Sequence, residues 1–335
     1  MTAPYPLAFA PILLDKVWGG DRLARLGKPV APGSRVGESW EVADLATTSA
    51  SGAGGGAAIS VIADGPLCGN TLNEAVRLWG ADLLGASRPT PDGRFPLLVK
   101  YLDARENLSV QVHPSTAYAL AHPEAHLKTE CWYILDATPG AVIYKGVNAG
   151  VTRASFEAHL LSADGSAILS DLASVPAVIG DLHELPSGTV HALGAGVMVA
   201  EVQTPSDTTF RVFDWGRSGR QMHVAEALEC IRFGPARDAT RFAGASPCRL
   251  VSTDSFTVDE HRLQPGAEAP LVAAGSRRCV VFLVVAGSGE FSASNGSFAP
   301  VSARAGTTLV IPAAIAHRTL VRAEAALRAL EAVIL

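Results

Sequence analysis

The amino-acid sequence predicts a mostly β protein that contains two antiparallel β-barrels and a short helical insertion. Short apolar segments joined by turn residues recur along the chain, for example around Thr138–Gly140 and Ala286–Gly289. This arrangement is typical of antiparallel strands. A spacing of Gly, Pro and His also occurs once in each half of the chain. The repeated spacing indicates that one β-rich unit has been duplicated.

The composition favours a globular protein with a sizeable core, because 48% of the 335 residues are hydrophobic and 18% are charged. The net charge of −5 and the lack of any basic run argue against nucleic acid or an anionic membrane surface as a partner. No segment is apolar for long enough to span a bilayer. The five scattered cysteines form no CxxC pair, so we expect a reducing, cytoplasmic location.

Three segments have the apolar spacing of helices. The segment Thr71–Gly85 opens with a capping box formed by its first residue and Glu74. Thr152–Ala173 contains two short amphipathic pieces interrupted at Gly165, and Met222–Phe233 is a third amphipathic piece. The middle segment is the expected helical insertion.

Composition also suggests where the chain divides. Gly234–Pro247 is rich in Gly, Pro and Ala, and it is the best candidate for a domain boundary. We therefore expect an N-terminal domain over residues 1–240, with the insertion at about 152–175, and a C-terminal barrel over residues 245–335. Ser49–Ala58 is a low-complexity surface loop.

The repeat has the same spacing in both halves. In each copy a strand precedes the proline, a turn follows it, and the histidine is expected to open the next strand. The first copy consists of Gly180, Pro186 and His191, and the second of Gly306, Pro312 and His317.

This spacing resembles the second conserved motif of the cupin superfamily, Gly-x5-Pro-x-Gly-x2-His, whose fold is a jelly-roll barrel. The first copy also matches the motif at Gly188, whereas the second has Ala314 there. The segment Pro265–Glu290, upstream of His317, offers no His-x-His or Gln-x-His pair. Since a lone imidazole does not make a zinc site, we expect a metal in the N-terminal barrel only.

A candidate metal site precedes the first copy of the motif. Gln111 and His113 lie two residues apart, so their side chains project from the same face of a strand. Lys128 and Glu130 are likewise two apart and lead into an apolar strand. With His191 these residues offer two imidazoles, a carboxylate and an amide oxygen, a donor set that suits Zn²⁺ with one position left for substrate.

Each of these residues, taken alone, has an ordinary explanation. Most histidines in a chain that contains nine are surface or hydrogen-bonded structural residues. The occurrence of His191 within a motif, together with the paired spacing upstream, makes ligation the favoured interpretation.

Longer blocks resemble the signature blocks of type I phosphomannose isomerases, in their compact bacterial form. They occur in the expected order between Trp18 and about Arg217. The blocks are "GESWEV", "FPLLVKYLDARENLSVQVHP", "KTECWYIL", "PSGTVHALGAG" and "EVQTPSDTTFRVFDWGR".

This resemblance implies a role for each matching residue. The implied ligands of about one zinc ion per chain are Gln111, His113, Glu130 and His191. The implied catalytic residues are Arg211, Lys128, Glu201 and Asp207. The implied substrate-binding residues are Trp18, Glu38, Lys100, Ser109 and Arg217, the last standing at a second phosphate-side position.

Some of the substrate-binding assignments compete with structural explanations. Trp18 could belong to the core, Lys100 and Glu38 could form a surface pair, and Ser109 could be a polar strand position. Both explanations carry similar weight, because loops around a rigid barrel commonly carry function.

The resemblance also implies a reaction, the interconversion of mannose 6-phosphate and fructose 6-phosphate through an enediol. Arg211 would add electrostatic stabilisation, and Lys128, Asp207 and Glu201 are alternative proton-transfer groups. Two other functions compete with this one. Another metal-dependent cupin enzyme is disfavoured because the first pair is Gln-x-His rather than His-x-His. A non-catalytic sugar-binding cupin is disfavoured by the presence of Arg211 and the two lysines.

Overall fold

A computed structural model describes residues 2–49, 54–122, 124–162 and 166–335. It is mostly β, as predicted, and its strand pairings are antiparallel. The strands are β1 Leu7–Ala10, β2 Ile12–Gly20, β3 Val36–Val42, β4 Asp44–Leu45, β5 Ala58–Ile59, β6 Val61–Ile62, β7 Leu98–Asp103, β8 Val110–Val112, β9 Glu130–Ala137, β10 Val142–Val147, β11 Leu172–Pro176, β12 Asp181–Leu185, β13 His191–Leu193, β14 Val197–Gln203, β15 Phe210–Phe213, β16 Thr240–Arg241, β17 Cys248–Ser252, β18 Phe256–Leu263, β19 Glu268–Pro270, β20 Val280–Ala286, β21 Ser288–Ala293, β22 Val301–Arg304, β23 Thr308–Ile311, β24 Thr319–Ala323 and β25 Leu327–Ile334.

The helices are short. The α-helices are α1 Leu72–Trp79, α2 Ala81–Leu84, α3 Thr116–Ala121, α4 Arg153–Leu160, α5 Val224–Cys230 and α6 Ala313–Ala316. Single 3₁₀ turns span Arg22–Leu26, Gly65–Leu67, Ser166–Ser170 and Val272–Gly275. Among the described residues, no helix combines the length and apolar character needed to cross a membrane.

Four larger sheets form two pairs. In the first pair, the strand orders are β16-β12-β9-β14-β7-β3-β2 and β11-β10-β13-β8-β15. In the second pair, they are β17-β18-β25-β20-β23-β1-β6 and β19-β24-β21-β22. A core cluster joins the sheets of the first pair, since Trp132 and Val199 of one sheet pack in it with Ile143 and Leu193 of the other. We call this first pair the N-terminal sheets.

Both predicted strand–turn–strand segments contain strands. The first gives β9 and β10, and the second gives β20 and β21. In neither case do the two strands pair with each other, because each turn carries the chain from one sheet of a pair to the other. The two halves therefore share this connection as well as the repeated motif.

The repeat has one structural difference between its copies. His191 is buried at the start of β13, as predicted, whereas His317 is exposed and ends helix α6 instead of opening a strand. Gly188 of the first copy has a φ of +83°, a left-handed conformation that favours glycine. The residue at that position in the second copy is Ala314, which lies within α6. The tight turn of the first copy is thus replaced by a helical turn.

The predicted helices are present in shortened form. The capping box at Thr71 is confirmed, with reciprocal hydrogen bonds to Glu74. The segment Thr152–Ala173 contains α4 and a 3₁₀ turn, but its last residues already belong to β11. Gly165, where an interruption was predicted, lies outside the described residues, as do residues 50–53 of the predicted low-complexity loop.

One core cluster connects the two halves of the chain. It contains Val99 and Tyr133 from the N-terminal sheets and Val281 and Leu283 from β20. In addition, β1 pairs with β23, so the sheet of the C-terminal half includes strands from the beginning of the chain. The two parts of the chain on either side of the predicted division at residues 240–245 therefore share a core cluster and a sheet.

Because of this shared core, we expect Leu283→Ala to destabilise the whole protein. Leu283 is fully buried, and truncating such a leucine costs about 2–5 kcal/mol of unfolding free energy. Urea unfolding followed by far-UV circular dichroism and by tryptophan fluorescence should show both transitions shifting together. Leu120→Ala is the matched control, because Leu120 is 81% exposed. A fluorescence transition that stays in place while the dichroism transition moves would contradict the shared core.

Candidate active site

Three buried side chains converge at the contact between the two N-terminal sheets. His113 follows β8, Glu130 begins β9 and His191 begins β13. One potential ligand atom from each lies within 4.8 Å of the others. The predicted metal-ligating imidazoles and carboxylate are thus brought together.

The hydrogen bonds of the two imidazoles fix their tautomers. His113 Nδ1 lies 3.0 Å from the carbonyl of Thr208, and His191 Nδ1 lies 2.7 Å from the carbonyl of Thr189. A carbonyl oxygen can only accept, so each Nδ1–H donates, and in the neutral ring Nε2 then carries the lone pair. Such an outer hydrogen bond is typical of metal-ligating histidines.

Both lone pairs face the carboxylate of Glu130. Nε2 of His113 lies 3.4 Å from Oε2, and Nε2 of His191 lies 3.2 Å from Oε1. Burial and then the positive charge of Lys128 lower the pKa of His113 to about 3, so a proton does not bridge this contact at neutral pH. His113 Nε2 and Glu130 Oε1 make no hydrogen bond to the described residues. A divalent cation would satisfy both atoms, and the donor set fits zinc.

Gln111 and Lys128 connect the cluster to a cavity that both line. The Gln111 amide lies 3.3 Å from His191 Nε2, and rotating an amide exchanges its nitrogen and oxygen. Its oxygen can therefore face the same cation. Lys128 Nζ lies 2.7 Å from Glu130 Oε2. Burial raises the pKa of Glu130, but the positive charge of Lys128 outweighs burial and holds the pKa well below its usual range.

All but one of the predicted substrate-binding and catalytic residues line the cavity. Those that line it are Trp18, Glu38, Lys100, Ser109, Lys128, Glu201, Asp207 and Arg211. Arg217 is not among its lining residues. It instead pairs with Asp214 at 3.0 Å and donates to the carbonyl of Asn107 at 2.7 Å.

Four further polar or aromatic residues line the cavity and were not predicted. They are Lys16, Trp40, Thr209 and Arg220. The first three lie two residues from a predicted residue, so strand alternation could have found them. Arg220 has no such signal in the sequence, and its guanidinium pairs with Asp214 at 2.9 Å.

A network of alternating charges forms one wall of the cavity. Lys100 Nζ lies 3.2 Å from Glu201 and 3.8 Å from Glu38, and Lys16 lies 3.2 Å from Glu38. The indole N–H groups of Trp40 and Trp132 donate to Glu38 and Glu201 at 2.7 and 2.8 Å. Apart from the half-buried Lys16, the network is buried, and each charge in it has an opposite charge beside it.

The pKa values follow from this network. Burial raises the pKa of Glu38, but Lys16, Lys100 and the Trp40 hydrogen bond outweigh burial and lower the pKa to about 2. Burial lowers the pKa of Lys100, but Glu201 and Glu38 outweigh it, so the net shift is upward. Lys100 therefore stays positively charged and cannot act as a base.

Arg211 and Asp207 lie at the opposite wall. Arg211 donates to the carbonyl of Gln221 at 2.6 Å, and its buried Nε makes no hydrogen bond to the described residues. Oδ2 of Asp207 accepts from the backbone N–H of Ser49 at 2.6 Å. Both side chains therefore have polar atoms available to a molecule in the cavity.

Strand register explains why these residues meet. His191, Gln111 and Arg211 lie side by side across β13, β8 and β15, and we call them, with Lys145 opposite His191 on β10, the histidine row. Directly paired residues point to the same face of a sheet.

A second row runs across the other N-terminal sheet. Trp40, Lys100, Glu201, Trp132 and His183 lie side by side across β3, β7, β14, β9 and β12, and we call them the tryptophan row. The rings of Trp132 and His191 are 5.2 Å apart, so the two rows face each other.

Comparison with known proteins assigns the family. Residues 12–140 match the family model of the phosphomannose isomerase type I catalytic domain. A mannose-6-phosphate isomerase of Streptococcus mutans is 32% identical over 92% of each chain, and one of Bacillus subtilis is 38% identical over 68% of each chain.

A solved structure supports the same assignment. The crystal structure of a mannose 6-phosphate isomerase from Bacillus subtilis superposes with a TM-score of 0.80 at 28% identity, covering 98% of this chain and 99% of that one. The chain therefore belongs to the type I phosphomannose isomerases, a family of aldose–ketose isomerases.

Proposed function

We propose that the chain is a zinc-dependent isomerase that interconverts mannose 6-phosphate and fructose 6-phosphate through an enediol. The observation that carries the proposal is the pair of buried imidazole Nε2 atoms facing the ionised Glu130. This cluster adjoins a cavity rich in cationic side chains, which suits a phosphorylated sugar. Family membership supplies the substrate pair.

Gln111, His113, Glu130 and His191 would hold about one zinc ion per chain. When bound, zinc would act as a Lewis acid on the oxygens of the sugar. Lys128, paired with Glu130, contributes a positive charge at the same place. The protein residues around the cluster are already fixed by carbonyls and ion pairs, so they require little rearrangement.

The isomerisation moves a proton between C1 and C2, and Asp207 is the proposed base. Of the three candidates, Glu201 is held by Trp132 and Lys100, and Lys128 is paired with Glu130. Asp207 uses one oxygen for the N–H of Ser49, and its other oxygen makes no hydrogen bond to the described residues. A carboxylate with one oxygen anchored and one available is suited to accept and return a proton.

Arg211 is the proposed stabiliser of negative charge that develops on the enediolate. Its position beside Gln111 in the histidine row keeps it next to the proposed metal ligands. A guanidinium remains charged and offers several N–H donors in one plane. Glu201 has a supporting role, since it holds Lys100 in the cavity wall.

Trp18, Glu38, Lys100 and Ser109 are the proposed substrate-binding residues. For the phosphate we assign Arg220 in place of Arg217, because Arg220 lines the cavity. Both arginines pair with Asp214, so their guanidinium groups lie close to the same carboxylate. The contact with the cavity favours Arg220.

The proposal includes the domain organisation. Residues 1–240 would form the metal-binding cupin catalytic domain, with the helical insertion at about 152–175, and residues 245–335 a cupin-like barrel without metal. The sheet pairs and the shared sheet-to-sheet connections support this division. Strands β1 and β6 precede residue 240 but pair into the C-terminal sheet. The first domain would thus contribute two strands to the second barrel.

His191→Ala should abolish both zinc binding and activity, because it removes one of two imidazoles from the cluster. We expect wild-type protein to contain about one zinc per chain and to convert mannose 6-phosphate into fructose 6-phosphate. Metal analysis and a coupled assay with and without added zinc measure the two effects. His317→Ala is the matched control from the second copy of the repeat and should keep both. Sugar binding by the zinc-loaded wild type without turnover would instead indicate a non-catalytic cupin.

Arg211→Ala should lower kcat by about a hundredfold or more, the usual scale for one electrostatic contact in a transition state. Its zinc content should be unchanged, because Arg211 is not a ligand. Steady-state kinetics on the zinc-loaded variant separate this effect from binding. A normal kcat with only a raised KM would assign Arg211 to phosphate binding.

Arg220→Met should raise KM for mannose 6-phosphate with a smaller change in kcat, because a ground-state contact with the phosphate is lost. Arg217→Met is the matched control, since it removes the same charge and the same contact with Asp214 outside the cavity. The opposite result, with KM raised only by Arg217→Met, would restore Arg217 as the phosphate residue.

A further inference from the structure

A second cavity lies at the other end of the two rows. Its volume is about 630 Å³, and it shares no lining residue with the candidate active site. Lys145, from the end of the histidine row, and His183, from the end of the tryptophan row, both line it. The same pair of facing sheets thus contains two separate cavities.

Lys145 and His183 have no partners among the described residues. Their side chains are buried, with 3% and 2% of each residue exposed. The ammonium of Lys145 and both ring nitrogens of His183 make no hydrogen bond to any residue that the structure describes. A buried polar group without a partner costs free energy, and an unpaired buried charge costs more. Such groups are rare in folded proteins and require an explanation.

Neighbouring charges do not supply the missing partner. The carboxylate of Asp181 is occupied by Arg241 at 2.5 and 2.9 Å, and Glu184 is occupied by Arg237 at 2.6 Å. Burial lowers the pKa of Lys145 and outweighs the attraction of Asp238 and Glu184. Burial and then the charge of Lys145 lower the pKa of His183 to about 4.

We propose that this cavity binds a small oxyanion, a carboxylate or a phosphate, between Lys145 and His183. An ammonium offers three donors and a neutral imidazole offers one, while an oxyanion offers only acceptors. A metal cation is disfavoured, since a protonated lysine cannot ligate and repels positive charge. The remaining lining includes Ala173, Val175 and Pro235, which can contact a short apolar body.

The contrast with the first cavity supports this assignment. There each buried lysine lies beside a carboxylate of the protein, as Lys100 does beside Glu201. At Lys145 the protein provides no such carboxylate within salt-bridge distance among its described residues. The missing negative charge is therefore expected from a ligand. This inference does not depend on the proposed isomerase activity.

The test follows the ring carbons of His183 by ¹³C NMR in the zinc-loaded full chain. The resonance is assigned by its disappearance in His183→Gln. Inorganic phosphate and acetate are added in separate titrations at constant ionic strength. We expect one of them to shift the His183 resonance saturably, and the one that does so identifies the class of anion. Binding of phosphate in the active-site cavity does not interfere, because the signal reports on His183.

Lys145→Met provides the second measurement. The anion-dependent shift of His183 should be lost, and the melting temperature without anion should rise, because an unpaired buried charge has been replaced by an apolar chain of similar length. Arg153→Met, which removes an exposed positive charge, is the matched control and should keep the shift. A His183 resonance that neither anion moves in the wild type, or that moves equally in Lys145→Met, would overturn the proposal.

Discussion

The ionised carboxylate of Glu130, faced by two imidazole lone pairs, is the interaction on which the site depends. It brings two imidazole nitrogens and a carboxylate together, and the pKa of His113, about 3, leaves that ring unprotonated at neutral pH. Lys128 balances the charge of Glu130, and a metal cation that joins the three groups would satisfy their remaining ligand atoms. Because Glu130 begins a strand of one sheet and the imidazoles belong to the other, the correct packing of the two N-terminal sheets is also what assembles the cluster.

Around this cluster, the charges of the cavity are arranged before any substrate arrives. Glu38 and Glu201 each accept a hydrogen bond from an indole N–H, and both lie beside Lys100. Moving any of these three charged side chains would therefore break a hydrogen bond or an ion pair. A preorganised polar wall of this kind stabilises charge without reorganising during a reaction. Its ion pairs and hydrogen bonds also offset the desolvation cost of burying these charges in an apolar core.

Local spacing was sufficient to predict that the four proposed ligands would meet, whereas most of the cavity wall was predicted from the resemblance to the family. Gln111 and His113 share a strand face, and the turn at Gly188 directs His191 inward, so both are consequences of nearby residues. The assignment of Arg217 shows the limit of this reasoning. Pairing between β15 and β8 shifts register between Arg211 and Phe213, and the chain then turns back on Asp214.

The same limit applies to the fold. Apolar segments and turn residues predicted β9, β10, β20 and β21, but not that each turn would change sheets. That choice depends on packing between segments far apart in the chain. No sequence pattern indicated that Lys145 would lack a hydrogen-bond partner among the described residues, because that is a property of the folded structure rather than of any motif.

The pairing of β1 with β23 has a consequence for how the protein is made. Leu7 lies opposite Val310, so β1 is synthesised long before the strand with which it pairs. Contacts between such distant segments slow folding. Until β23 is synthesised, the edge of β1 that will pair with it stays open in the nascent chain, and open strand edges promote aggregation.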